Sequence, residues 1–273
     1  MIGKLRVYRI WLLILPGFIF VCVLLFLPMA HIIIGSLKGE EGWTFSNYLR
    51  AFSKSAFQIS YIRTLKLGTL ITVLAIVIGY PTAYIVYRSK WKGVMMSLAL
   101  IPLMTTAVVR TFAWFVVLGR NGLINQVLKS LGIIESSFKL LYTEGAIVVG
   151  LLQLFFPLML FSLISSMENI STDIEEAARS LGATPLQAFF AITLPLSMDG
   201  MIIGSILVFA GSISAYTTPA ILGGTRVLML STLLYQQAMT LMDWNGAMVI
   251  AVVMFLSTLI INWLLRRLRR EMP

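Results

Sequence analysis

The groups able to do covalent chemistry in this chain are few. Among 273 residues there is one histidine, His31, one cysteine, Cys22, and eleven carboxylates. A catalytic site needs a convergent set of nucleophile, base or metal ligands, and one imidazole with one thiol, both in the first apolar run, do not supply it. A lone cysteine makes neither an internal disulfide nor a multi-cysteine metal centre, so neither a metal site nor a cofactor is expected. No glycine-rich loop ends in Lys-Ser or Lys-Thr, which leaves the chain without a phosphate cradle of its own. Charge, glycine and proline gather instead in EEAARSLGATPLQAFFAITLP, Glu175 to Pro195. The chemistry open to such a stretch is recognition and leverage.

Its local pattern predicts two short helices around a hinge. Thr172 or Asp173 is placed to N-cap the first, with Glu175 or Glu176 three residues later closing a capping box. Gly182 ends it, because glycine enters the left-handed region without a Cβ penalty. Thr184 then caps a second helix whose first position is Pro185, where a missing N–H costs nothing. Ala177 and Ala178 are small enough for another backbone to approach, and Glu176 and Arg179 flank them with charge. Leu181 and the run LQAFFAI, Leu186 to Ile192, add apolar surface that a free loop does not expose to water. Two readings stay open on these residues: a docking site for a partner, or an amphipathic connector lying on a membrane surface.

The elements that must position this elbow are apolar. The chain is 59% hydrophobic and 12% charged, with a mean hydropathy of +0.92, outside the range of soluble domains. A helix needs about 20 apolar residues to cross about 30 Å of hydrocarbon. Six such runs occur, at about 10–34, 67–86, 93–118, 145–166, 200–222 and 246–265. The first follows Lys4, Arg6 and Arg9 like a signal peptide, but it is too long for one and lacks a small-x-small cleavage site, so it is read as an uncleaved span. The expected architecture is an all-α polytopic membrane protein forming one transmembrane domain over 1–273, with a loop at about 167–197.

Basic residues set the orientation. With the N-terminus cytoplasmic, eleven Lys and Arg fall in short inner segments and nine in longer outer ones, so both termini and the elbow are placed inside. The net charge of +10 sits as flanks of apolar segments, the pattern of membrane orientation rather than of nucleic-acid binding. The lipid bilayer is the partner this composition demands.

The spacing Glu-Ala-Ala, three residues, Gly, nine residues, Ile-x-Leu-Pro resembles the EAA signature of ABC importer permeases, matched here by Glu176, Ala177, Ala178, Gly182, Ile192, Leu194 and Pro195. Further segments resemble the branch containing spermidine/putrescine permeases: FSNYLRAF from Phe45, GYPTAY from Gly79, RTFAWFVVLGRNGLIN from Arg110 and LYTEGAIVVGLLQLFFPLMLFSL from Leu141. The resemblance runs from about Phe45 onward. It implies the type I ABC importer permease fold in a bacterial inner membrane. It also implies a second permease subunit, a paralogue of this one, two ATP-binding subunits that hydrolyse ATP, and an extracytoplasmic substrate-binding protein. The elbow, with Leu181 among its contacts, is then the coupling helix seated on an ATPase, whose closure tilts the spans from inward-open to outward-open.

Within the spans, Pro81, Pro102, Pro157 and Pro219 are placed to kink helices and line a cavity, or simply to be tolerated there. Arg110 is the clear intramembrane cation, near enough to a span end to snorkel. The small polar stretch GSISAYTTPA, Gly211 to Ala220, fits helix packing or a pathway lining, with Tyr216 and Thr217 as pathway candidates. Glu144 and Asp243, at the starts of the fourth and sixth spans, are the acidic candidates on a cationic route. A secondary transporter would bury acidic residues or histidines in its spans to couple to ions; the five cores outside the Arg110 span carry no charge. Family resemblance favours polyamines as cargo. Against this, five acidic residues face nine basic ones in the outer loops, which makes no funnel for a polycation. Opines, phosphonates and metal-containing cargo are the alternatives.

Overall fold

The structure, a computed structural model, describes residues 2–39 and 42–271, with side chains at all of these except 2–14, 172, 175, 176, 179 and 268–271. The chain forms two compact units, one of Met1–Ser55 with Leu234–Phe255 and one of Ala56–Leu233 with Leu256–Pro273.

In the first unit, helix α1 (Ile2–Ser36) leads into a two-residue antiparallel hairpin, β1 (Lys38–Gly39) and β2 (Gly42–Trp43), and then helix α2 (Ser46–Ser53). Hydrogen bonds fold α2 back on the end of α1: Ser36 Oγ meets the Tyr48 hydroxyl at 2.7 Å, and Asn47 Nδ2 donates to the carbonyls of Ser36 and Lys38.

The second unit carries α3 (Ser55–Arg88), α4 (Lys92–Met104), α5 (Ala107–Val117), α6 (Leu123–Ser130) and α7 (Glu144–Glu168). The elbow helices follow, α8 (Thr172–Ser180) and α9 (Pro185–Ala188), then a π-helical turn Phe189–Thr193, α10 (Leu194–Leu196) and α11 (Met198–Ser214). After α11 come a π-helical turn at Pro219–Gly223 and α12 (Leu230–Tyr235); a third such turn at Gln236–Thr240 and α13 (Trp244–Glu271) up to Phe255 belong to the first unit, and the rest of α13 to the second. Leu67, Ile71 and Ala75 of α3, Leu151, Leu163 and Ile164 of α7, and Val208 of α11 form the buried centre. Glycines let α7 and α11 approach closely: a Cβ at Gly200 would overlap the Ser162 carbonyl, and one at Gly204 would lie 2.6 Å from Met159 Sδ. Such small-residue contacts drive helix association where lipid gives no hydrophobic force.

Four helices among the described residues are long and apolar enough to cross a membrane: Leu15–Ser36, Ser55–Arg88, Glu144–Glu168 and Trp244–Arg267. Two bent pairs raise the number to six if each counts as one span. One pair is α4 with α5, bent by 93°; the other is Pro185–Leu196 with α11, bent by 63°. The expected span at 93–118 is therefore broken. Pro102, in the last turn of α4, has no N–H to give, and the Thr106 side chain restarts the chain as an N-cap, accepting from Val109 N. The expected span at 200–222 stops at Ser214. Ala215 turns extended, and its carbonyl accepts from Ser231 Oγ at 2.7 Å, so the break leaves this backbone acceptor satisfied. The second span is longer than its apolar run because polar turns from Ser55 continue the helix past the apolar limit.

Candidate functional site

The elbow follows its local pattern closely. At the end of α8, Gly182 has φ +91°, and Ala183 N–H reaches back to the Ala178 carbonyl at 3.0 Å, the six-to-one bond of a glycine-terminated helix. Two residues on, Thr184 Oγ1 accepts from Gln187 N while Gln187 Oε1 accepts from Thr184 N, a complete capping box with Pro185 in the first turn. The cap of α8 differs from expectation. Ser171, not Thr172 or Asp173, precedes the helix, and its Oγ accepts from Asp173 N at 3.3 Å. Serine is as good a cap as either, and the helix starts one residue earlier.

Apolar surface is displayed along this elbow: Leu181 is 90% exposed, Leu186 71% and Phe190 61%. Ala177 is exposed and Ala178 half-buried, while the side chain of Glu176 lies outside the described residues. Further along, Ile192 and Leu194 are half-buried and Pro195 is exposed. Leu194 packs on the buried centre, as does Phe189, whose ring meets Tyr84 and Tyr80 of α3. Of the motif residues, Leu194 packs on the buried centre, while Ala177, Gly182 and Pro195 are exposed. At the other end of the elbow, Glu168 closes α7 in an ion pair with Lys92.

The pathway candidates have different surroundings. Glu144 opens α7 with both carboxylate oxygens occupied: Arg63 Nε donates to one at 3.0 Å and Lys66 Nζ to the other at 2.9 Å. Arg63 also donates through Nη1 to the Leu228 carbonyl at 3.0 Å. Beside it, Thr64 Oγ1 accepts from Leu230 N at 2.9 Å and donates to the Ser60 carbonyl. In the first unit, Asp243 is the N-cap of α13, Oδ1 accepting from Gly246 N at 2.8 Å. Tyr216 lies in the break after α11 and Thr217 opens the helical stretch that follows it, where the neighbouring Thr218 bonds Thr111 of α5, hydroxyl to hydroxyl, at 3.0 Å.

A cavity of about 390 Å³ lies among α3, α4, α5 and α7, lined by residues that include Ile78, Pro102, Trp114, Gln153, Phe156 and Pro157. Pro102 and Pro157 thus do line a cavity. Arg110, one turn before Trp114, does not hold its whole head at the surface: Nε and Nη1 are buried without an acceptor among the described residues.

Residues 72–272 match the family described as the binding-protein-dependent transport system inner membrane component. The chain belongs to this family. The permease is 30% identical over 221 residues to the spermidine/putrescine transport system permease protein PotB of Haemophilus influenzae, covering 80% of this chain and 77% of that one. It is 29% identical over 204 residues to PotB of Escherichia coli, covering 74% of each. It is also 28% identical to the molybdenum transport system permease protein ModB of Mycobacterium bovis, over 75% of this chain and 78% of that one. Among solved structures it superposes on a chain of the bacterial alginate ABC transporter in complex with alginate pentasaccharide-bound periplasmic protein. There the TM-score is 0.79, with 98% of this chain and 97% of that chain covered at 16% identity. At that identity the likeness shows the all-α fold alone.

In this multi-pass inner-membrane permease the residues that the sequence did not single out are Thr64, Lys66 and Gln153. Gln153 had a readable signal, a lone amide inside LLQLFFPLML. Thr64 and Lys66 had none, because their partners are distant in sequence.

Proposed function

We propose that the whole chain, 1–273, acts as one permease domain of an ATP-driven, binding-protein-dependent importer of small amino compounds of the polyamine kind. It works beside a second permease subunit, two ATP-binding subunits that carry the hydrolysis, and an extracytoplasmic substrate-binding protein. Both termini and the elbow are cytoplasmic. Glu176, Ala177, Ala178, Leu181, Gly182, Ile192, Leu194 and Pro195 form the coupling site for an ATPase. Tyr216 and Thr217 belong to the pathway lining, and Glu144 and Asp243, each separately, to its approach.

The observation that carries this reading is the display of Leu181 and Leu186 at the surface of a capped helix pair, an apolar patch of the kind that marks an interaction site. Leu181→Asp with Leu186→Asp is expected to abolish co-purification of the ATPase and transport together, with membrane insertion unchanged. Retention of the ATPase by that variant would overturn the coupling role. Single cysteines labelled from outside the cell are expected to react near Lys129 and not near Thr184; the reverse pattern would invert the orientation.

The polyamine reading leans on the PotB relatives. A second reading, an amino compound that also bears an acidic group, such as an opine or a phosphonate, is favoured by Arg110, whose buried nitrogens lack an acceptor, and by the two cations on Glu144. A ligand survey of the cognate binding protein separates the two: polyamines alone support the first, acidic amino compounds the second.

A further inference from the structure

We propose that Phe189 is the joint through which movement of the elbow reaches the membrane helices, with Tyr80 and Tyr84 of α3 as the seat that receives it. The proposal rests on the reading of the elbow as an ATPase dock and adds the route by which the load leaves it.

The covalent route out of the elbow is a poor lever by itself. Between Pro185–Leu196 and α11 the chain bends by 63°, and just before the bend the backbone opens into the π-helical turn Phe189–Thr193. Single π turns of this kind are frequent at functional sites. A bent, widened turn with no outside support pivots under load instead of transmitting it.

Outside support comes from α3. The Phe189 ring stands edge-on to Tyr84, with centroids 5.0 Å apart at 69°, and to Tyr80, 6.2 Å apart at 84°. These are the separations and angles at which aromatic pairs attract beyond their burial. Beyond the π turn, at the bend itself, the Tyr80 hydroxyl lies 3.3 Å from Ser197 Oγ. The same helix therefore grips the elbow before its bend, by a ring, and at the bend, by a hydrogen bond. The Arg88 guanidinium sits 4.9 Å from the Tyr84 ring centroid and adds a cation–π contact to the seat. Ala188 and Thr193, flanking the joint, are 1% exposed, while Leu186 and Phe190 beside them are open. A push delivered to the open residues thus has a packed point of entry into α3 at Phe189. The Tyr84 hydroxyl is buried with no partner among the described residues, so it is the ring of Tyr84 and not its oxygen that makes the seat.

The test uses the complete importer in liposomes, with its binding protein and cargo, and reads cargo moved per ATP hydrolysed. Phe189→Ala is expected to keep the ATPase subunits bound and hydrolysing while cargo per ATP falls roughly tenfold, in proportion to two lost ring pairs. Phe189→Leu should fall in between, and Tyr84→Phe should match the wild type. Should Phe189→Ala fail to assemble, Phe189→Leu carries the same readout. An unchanged ratio in the assembled variant overturns the proposal, as does a fall in uptake that only tracks loss of the complex. Failure of the docking reading itself would be seen separately, as retained ATPase in the Leu181→Asp, Leu186→Asp variant.

Discussion

The elbow and the polar network around Glu144 belong to the same compact unit and hold themselves together in opposite ways. The elbow closes its hydrogen bonds within itself: Ala183 to Ala178, Thr184 to Gln187 and back. It is tied to the bundle by packing, at Phe189 and Leu194, and by the Tyr80–Ser197 hydroxyl contact at its bend. In the network, Arg63 reaches a carboxylate 81 residues away and a carbonyl 165 away, and Thr64 meets an N–H 166 away. A segment of the first kind keeps these local hydrogen bonds when it shifts as a rigid piece. One of the second kind cannot move without breaking several. The difference teaches where this permease is built to yield and where it is built to hold, and substitutions in the two regions should therefore report on different observables.

The largest stability effect is expected from Thr64→Val. It removes the acceptor of the buried Leu230 N–H while nearly keeping the volume, and a stranded buried donor costs about 1–3 kcal/mol. The unfolding temperature of the purified protein in detergent should drop clearly. An unchanged Tm would mean that the network holds nothing, and the contrast with the elbow would dissolve.

The same contrast explains what was legible in the sequence. Gly182, Thr184 and Pro185 could be assigned their roles because the groups they serve lie within five residues, and a capping pattern is a statement about neighbours. The six apolar runs were legible for the same reason: hydropathy is local. Their breaks were not. Pro102 marked a possible kink, but a bend of 93° depends on Thr106 restarting the helix, and the end of α11 at Ser214 depends on Ser231 being there to take the Ala215 carbonyl. Glu144 was picked out as a carboxylate with a route to cargo, since nothing in the chain around it announces Arg63 or Lys66. The seat of Phe189 was equally hidden, because the tyrosines come from a helix about a hundred residues earlier.

Gly182→Val should sharpen the contrast next. A Cβ there has no neighbour within 4 Å, so the penalty is chiefly conformational: roughly 1–2 kcal/mol for a left-handed residue with a Cβ. Transport should fall as α9 is misdirected, while the unfolding temperature of the bundle stays put. A parallel loss of Tm would show that the elbow is not independent of the helices it serves.

A smaller effect of the same local kind is expected from Thr184→Ala, which removes the capping oxygen at a cost of about 1 kcal/mol. Hydrogen exchange at residues 186–188 should quicken by about fivefold, and Thr184→Ser should restore it. Exchange that quickens also in the α3 peptides around Tyr80 would extend the cap's influence into the seat and blur the division between the two regions.

The smallest effect belongs to Glu144→Gln, and it bears on cargo as much as on stability. The Glu144 side chain is 37% exposed, Lys66 62% and Arg63 20%, so the ion pairs are screened by solvent and together are worth no more than about 1 kcal/mol. With both oxygens already taken, and two cations against one anion, the cluster has no negative charge to offer a passing polycation. Neutralising Glu144 adds one uncompensated positive charge, whose repulsion of a di- or trication about 10 Å away in water is under about 0.5 kcal/mol once salt screening over about 8 Å is included. Uptake of a polyamine by the assembled importer should therefore change by less than about twofold, and uptake of an acidic amino compound no more than that. A selective, severalfold loss of polyamine uptake would instead mean that Glu144 leaves Arg63 and Lys66 to meet the cargo. The network would then belong to the moving part of the permease, and the line between holding and yielding regions would have to be drawn elsewhere.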